Sequence, residues 1–160
     1  MEPTSAERVA ATISRGGLLT LWILVAISYE RLPRTIPIHF NALGEADGFG
    51  PRFTVWLLLG LLTGIFLLLS AIGRHVHRFP RKSGEGPATE AEYRTLRLFF
   101  QWLKLSILLV FAIDIALLFP AVMGNATRQR PWLLPVNIGI LLLPTAWLLW
   151  TVLRQRRTPA

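Results

Sequence analysis

Residues 53–73 read FTVWLLLGLLTGIFLLLSAIG, a run of 21 residues without a charged side chain. As an α-helix this run would extend about 31 Å, close to the roughly 30 Å thickness of a bilayer's hydrocarbon core. Backbone N–H and C=O groups inside a bilayer must find partners within the protein, and a helix satisfies them within one segment. The run therefore predicts a transmembrane helix.

Three further apolar stretches predict spans at 9–29, 98–124 and 132–153. The run at 16–29 would reach only about 21 Å as a helix. The first span must therefore extend past Arg15, whose long side chain can bring its charge to the headgroups. In the fourth span, Pro135 and Pro144 are expected to bend the helix. Residues 1–160 are thus predicted to be a single membrane domain: an all-α integral membrane protein built as a bundle of four transmembrane helices.

The basic residues are divided unevenly between the two sides of these spans. Of the 17 Lys and Arg residues, 12 lie in the N-terminal segment, in and beside the loop 74–97, or in the C-terminal tail. Lys and Arg accumulate on the cytoplasmic side, so both termini are predicted to be cytoplasmic and the loop 30–52 extracytoplasmic. Membrane orientation thus explains the net charge of +8. We expect membrane lipids and other integral membrane proteins as partners, and no nucleic acid.

The loop 30–52 reads ERLPRTIPIHFNALGEADGFGPR, with three prolines and three glycines among several apolar residues. Proline fixes φ, and glycine permits tight turns. The composition predicts a rigid, turn-rich cap over the outer mouth of the bundle, which presents His39 and Asn41 toward either the bundle or the outside.

The order of residues in this cap resembles a largely uncharacterised bacterial membrane domain, the domain of unknown function 1648, also found in SdpI-like immunity proteins. The resemblance extends from Tyr29 through the second span. The matching positions considered as contacts for a ligand or partner are Pro33, Pro37, His39, Phe40, Asn41, Gly44, Asp47 and Gly48. The resemblance implies a multi-pass protein of the bacterial cytoplasmic (inner) membrane. SdpI-like proteins protect cells against a secreted toxin and take part in sensing that toxin, so the resemblance implies immunity or sensing as a candidate role.

The polar residues of the cap allow more than one interpretation. His39, Asn41, Glu45 and Asp47 supply oxygen and nitrogen atoms for a metal ion, a polar ligand or a partner. One histidine with loosely spaced carboxylates matches no recognised ligand spacing, whereas turns commonly use Asn and Asp for their own hydrogen bonds. Hydrogen bonding within the cap is therefore favoured, and no metal site is predicted.

Asp114 is the acid placed well inside a predicted span. Counting inward from the outer ends of antiparallel spans puts it at the depth of Thr63 and Asn137, which are its expected partners. A proton or cation site is one interpretation, because ionisable groups in the bilayer are costly. A hydrogen bond between helices is favoured, because transport normally needs several such groups. Lys104, about 15 Å away along the helix, is expected to extend to the cytoplasmic surface.

Gly60 and Gly64 form a Gly-x-x-x-Gly pair in the second span. Such pairs let another helix approach closely, so this one predicts either packing within the bundle or an interface with a partner.

The sequence contains no nucleophile paired with a base and no glycine loop of the kind that binds phosphate. We therefore expect no enzyme activity and no cofactor. The leading hypothesis is a non-catalytic accessory or interaction subunit that packs with a larger membrane protein assembly. An SdpI-like immunity or sensor protein that binds an extracytoplasmic ligand or toxin, and a small proton-coupled transporter using Asp114, are the alternatives.

Overall fold

The computed structural model describes residues 4–41, 43–78, 89–123, 130 and 132–157. Four of its helices are long and apolar enough to cross a membrane, which confirms four candidate spans. These are α1 (Ser5–Tyr29), α2 (Thr54–Arg74), α3 (Glu90–Met123) and α4 (Leu133–Arg157). Residues 79–88 of the predicted basic loop and Gly124 at the end of the predicted third span lie outside the described residues.

Helix α1 begins at Ser5, four residues before the predicted span, because Thr4 caps it. The Thr4 N–H donates to Glu7 Oε2 at 2.7 Å, and the Glu7 N–H donates to Thr4 Oγ1 at 3.3 Å. Each side chain satisfies a backbone donor that has no acceptor inside the helix. The helix then continues without a break through Arg15, as the short apolar run required.

Helix α3 begins at Glu90, eight residues before the predicted span, so the loop predicted at 74–97 is partly helical. Thr89 and Glu92 cap this helix with the same pair of hydrogen bonds as Thr4 and Glu7. The Thr89 N–H donates to Glu92 Oε2 at 2.7 Å, and the Glu92 N–H donates to Thr89 Oγ1 at 3.3 Å. Helix α4 likewise continues to Arg157, beyond the predicted 153. Sequence hydropathy marks the apolar part of a helix, whereas capping hydrogen bonds set where α1 and α3 begin.

The two prolines of α4 have different positions. Pro135 lies in the first turn, where backbone N–H groups have no intrahelical acceptor, so it is compatible with a regular helix. Pro144 lies in the helix interior.

The cap contains two short strands that the sequence analysis did not predict. Strands β1 (Thr35–Phe40) and β2 (Ala46–Pro51) pair antiparallel, and the register is irregular between Pro37 and Phe40. Pro37 can stand inside β1 because each strand of a two-stranded sheet has an unpaired edge. The protein is therefore mostly helical, with a small β-hairpin in place of an irregular loop.

Helix α3 packs against each of the other three helices. Most of the core lies between α1, α2 and α3, and Leu32 and Ile36 extend it from the cap segment into the bundle. The hairpin is thus attached to the ends of α1 and α2 through apolar side chains, and it has a fixed position on the bundle.

Candidate functional site

The turn of the hairpin is built by Asn41. Its Oδ1 accepts hydrogen bonds from the N–H groups of Leu43 at 2.9 Å and Glu45 at 3.0 Å, and its own N–H donates to the Glu45 carbonyl at 2.9 Å. Gly44 has φ of 77°, a left-handed conformation that favours glycine. The structure therefore engages Asn41 and Gly44 in forming the turn.

Gly48 allows the two strands to approach each other closely. It pairs with His39 across the hairpin, and a Cβ atom at position 48 would lie 2.9 Å from the His39 Cβ. Carbon atoms that are not bonded normally approach no closer than about 3.5 Å. The lack of a side chain at this position is a steric requirement of the pairing.

His39 and Asp47 point outward from the hairpin. His39 Nδ1 lies 2.5 Å from Asp47 Oδ1, and the two side chains are 71% and 46% exposed. Pro33 is exposed, Phe40 is half-buried and Pro37 is buried. Within the described part of the chain, no three His, Cys, Asp or Glu side chains are grouped as a metal ion would require. The His39–Asp47 pair of the cap is thus accessible from solvent.

Arg52 fastens the hairpin to α1, a role that its position in the sequence did not indicate. Its guanidinium donates to the carbonyls of Tyr29 and Leu32 at 3.4 Å each, and it lies 3.5 Å from Glu30 Oε2. The same group lies over the Tyr29 ring, 4.6 Å from its centroid. A guanidinium group can make both kinds of contact, because it is planar and carries several N–H donors: it donates hydrogen bonds to carbonyls and stacks on an aromatic ring.

An aromatic cluster joins α1 and α2 beneath the hairpin. The ring centroid of Trp56 lies 5.7 Å from that of Trp22 and 5.3 Å from that of Tyr29. The Trp22 Nε1–H donates to Thr63 Oγ1 at 3.1 Å, and the Thr63 hydroxyl donates to the Leu59 carbonyl at 2.8 Å. Thr63 is therefore a partner of Trp22, and its predicted pairing with Asp114 is wrong.

Asp114 and Asn137 meet between α3 and α4. Asn137 Nδ2 donates to Asp114 Oδ1 at 2.8 Å, while Asn137 Oδ1 is buried without a hydrogen-bond partner among the described residues. Amide and carboxyl groups on facing helices commonly join them in this way inside a bilayer. The arrangement acts as a link between two helices.

Gly60 and Gly64 lie on an open face of α2. Both are exposed, and a Cβ atom at either position would meet nothing within 4 Å. Leu57 and Leu61 beside them are 59% and 60% exposed. Among the described residues, no helix packs against the glycine pair, so it does not serve the internal packing that was one of its two predicted roles.

Lys104 does not extend to the surface, contrary to expectation. Its side chain turns toward α2, where Nζ lies 3.2 Å from Ser70 Oγ and 5.2 Å from the centroid of the Phe66 ring. The residue is only 8% exposed. A hydroxyl and an aromatic face inside the bundle hold the ammonium group there.

Comparison with known proteins confirms the resemblance of the cap segment. Residues 16–63 match the model of a family described as a domain of unknown function (DUF1648). An uncharacterized protein of Archaeoglobus fulgidus is 32% identical over 65 residues, which cover 38% of this chain and 36% of the relative. The aligned region is thus little more than a third of that relative. No solved structure matches the chain significantly. The SdpI-like association remains a prediction.

Proposed function

We propose that this protein is a non-catalytic subunit that binds another integral membrane protein through the open face of α2. The observation that supports the proposal is that, apart from the adjoining residues of α2, no described residue lies within 4 Å of a Cβ atom placed at Gly60 or Gly64. We define this open face as Phe53, Leu57, Gly60, Leu61 and Gly64.

Helices within a bilayer gain little from burying apolar surface, because lipid tails are as apolar as leucine. Close backbone contact at small residues is one of the interactions that join them. The two glycines lie one turn apart on α2, so they leave a shallow groove in which the backbone of a second helix can lie. Phe53, Leu57 and Leu61 have exposed side chains that would line this groove.

The test is the size of the complex purified from native membranes in a mild detergent. The double variant Gly60→Ile, Gly64→Ile fills the groove and should release the partner. The control is Gly139→Ile in α4, which also replaces an exposed glycine with nothing within 4 Å. We expect the wild type and the control to migrate in the same large complex and the double variant to migrate alone.

Three outcomes would reject the proposal. One is a double variant that still migrates in the large complex. Another is a wild type that migrates alone under every gentle condition. The third is a complex containing only copies of this chain, which two differently tagged copies would reveal by co-purifying without a further protein.

The orientation and the membrane are part of the same proposal: the bacterial cytoplasmic membrane, with both termini in the cytoplasm. The chain contains no cysteine, so single cysteines report on position without background. Cysteine at position 39 should react with an impermeant thiol reagent from outside intact cells, and cysteine at position 94 should not. The reverse pattern would invert the orientation.

A second function, the binding of an extracytoplasmic ligand or toxin, is favoured by the exposed surface of the hairpin. His39 and Asp47 lie there beside Ile38 and Phe49, which are 45% and 53% exposed. Because Asn41 forms the turn, His39→Ala is the informative change, and Asn41→Ala reports on folding of the cap instead. Binding of the toxin or peptide that is lost in His39→Ala, with normal protein levels, would support this function. Unchanged binding would reject it.

A further inference from the structure

A cavity of about 510 Å³ lies at the end of the bundle opposite the hairpin, between α1, α2 and α3. We call it the basic cavity. Its polar lining includes Glu7, Arg8, Arg15, Ser70, Arg74, Arg97, Gln101 and Lys104. Five of these side chains are cationic and one is a carboxylate, so the cavity has a strongly positive interior.

The cavity exists because α3 is bonded separately to its two neighbours. Gln101 Nε2 donates to Ser14 Oγ of α1 at 3.1 Å, and Lys104 Nζ donates to Ser70 Oγ of α2 at 3.2 Å. Arg97 pairs with Glu7 of α1 at 3.2 Å. At the hairpin end, by contrast, Trp22 and Trp56 bring α1 and α2 into direct contact. The two helices therefore meet at one end and stand on either side of α3 at the other.

The charge inside the cavity is not balanced within the described part of the chain. Glu7 pairs with Arg97, whereas Arg15, Arg74 and Lys104 have no carboxylate within salt-bridge distance among the described residues. Lys104 is only 8% exposed. A charge removed from water without a counter-charge is costly, so an anion at this position would stabilise the site.

Part of the cavity wall is apolar. Phe66, Leu67, Leu69 and Phe100 lie beside the cations, and Leu67 is 59% exposed. A ligand that fits such a site has an anionic group and an apolar part joined to it. The cavity also lies at the end of the spans, where the bilayer places its phosphates.

We propose that the basic cavity binds one anionic phospholipid, with its phosphate among Arg15, Arg74 and Lys104 and its acyl chains along Leu67. Cationic side chains recognise phosphate through charge-assisted hydrogen bonds, and a basic pocket between transmembrane helices suits an anionic headgroup. The site is separate from the open face of α2 and does not depend on the function proposed for that face.

Native mass spectrometry of the purified full chain tests the proposal, with phosphatidylglycerol or phosphatidylcholine added to the detergent solution. We expect phosphatidylglycerol to remain bound at one copy per chain and phosphatidylcholine to be lost. Lys104→Gln and Arg74→Gln should each lower the affinity for phosphatidylglycerol about tenfold, since each removes a cation from the phosphate. Arg94→Gln is the matched control, because Arg94 lies on the same end of α3 but outside the cavity, and it should change the affinity less than about twofold.

Equal retention of the two lipids would overturn the proposal. An equal loss of affinity in Lys104→Gln, Arg74→Gln and Arg94→Gln would also overturn it, because the lipid would then be attracted by the overall positive charge and not by the cavity. Displacement of the lipid by millimolar glycerol phosphate would also overturn it, because the ligand would then be a soluble phosphate. Thermal unfolding in zwitterionic lipid shows whether each variant is folded. Lys104→Met serves as a second variant that removes the charge and keeps the volume, and it should lose the stabilisation by phosphatidylglycerol while remaining folded.

Discussion

Replacement of Gly48 by alanine should open the hairpin, whereas the same replacement at Gly50 should not. Both glycines are on β2, two residues apart. A Cβ atom at position 48 would lie 2.9 Å from the His39 Cβ, which is fixed to the backbone of the paired strand. A Cβ atom at position 50 would lie 2.9 Å from the Ile38 Cδ1 and 3.3 Å from the Ile38 Cγ2, two atoms of a side chain that is 45% exposed and can change its rotamer.

The magnitude follows from this contact. Non-bonded carbon atoms lie about 3.5 Å or more apart, so the strands in Gly48→Ala must separate by about 0.6 Å. Overpacking of this kind costs about 1–3 kcal/mol. Alanine also restricts the unfolded chain, which offsets about 0.4–1 kcal/mol. Taking the middle of each range, about 2 kcal/mol less about 0.7 kcal/mol, the net loss for Gly48→Ala is about 1.3 kcal/mol, and for Gly50→Ala it is close to zero.

Hydrogen exchange measures this opening. The Asn41 N–H bonds to the Glu45 carbonyl, and the Arg52 N–H bonds to the Arg34 carbonyl, so the two amides report on opposite ends of the hairpin. A loss of about 1.3 kcal/mol should make both exchange about 10-fold faster in Gly48→Ala. Equal rates in the two variants would refute the steric account of Gly48, and so would faster exchange in Gly50→Ala.

Two further predictions concern single polar side chains. Arg52→Ala removes the contacts with two carbonyls and should lower the free energy of unfolding in detergent by about 1–2 kcal/mol, whereas Arg34→Ala, exposed on the same hairpin, should change it by less than about 0.5 kcal/mol. Similar losses in both would contradict the role of Arg52. Asp114→Ala should cost about 0.6–2 kcal/mol because Asn137 loses its acceptor, while Asp114→Asn retains one. If Asp114→Asn instead abolishes pH-dependent uptake by reconstituted vesicles, Asp114 belongs to a transport pathway.

The spans could be predicted from the sequence because the bilayer fixes both the length and the polarity of a crossing segment. The same reasoning predicted that the first helix includes Arg15, because the apolar run 16–29 is too short to cross the hydrocarbon core. Helix α1 does include Arg15. Counting depth from the ends of antiparallel spans placed Asp114 near Asn137. It failed for Thr63 because a depth count gives the level of a residue and not the direction of its side chain, which here faces Trp22.

The strands of the cap were missed because proline and glycine both argue against regular strands. Both residues are nevertheless compatible with a two-stranded sheet. Pro37 can lie in β1 because the strand has an unpaired edge, and Gly48 is needed in β2 because a side chain there would clash with His39. The basic cavity could not be predicted either. The three cations proposed to hold the phosphate come from positions 15, 74 and 104, on three helices, and only the rotation of each helix about its axis brings them together.

The two ends of the bundle are held by different interactions. Residues 16–63, which match the known family, include the hairpin, Arg52 and the aromatic cluster that closes one end. The residues that bond α3 to α1 and α2 at the basic end all lie outside that segment: Glu7, Ser14, Ser70, Arg97, Gln101 and Lys104. Ser14 and Tyr29 are about 22 Å apart along α1, well beyond the range at which substitutions normally influence each other. The matched domain therefore accounts for the cap and its attachment, whereas the basic cavity depends on how α3 is added to it.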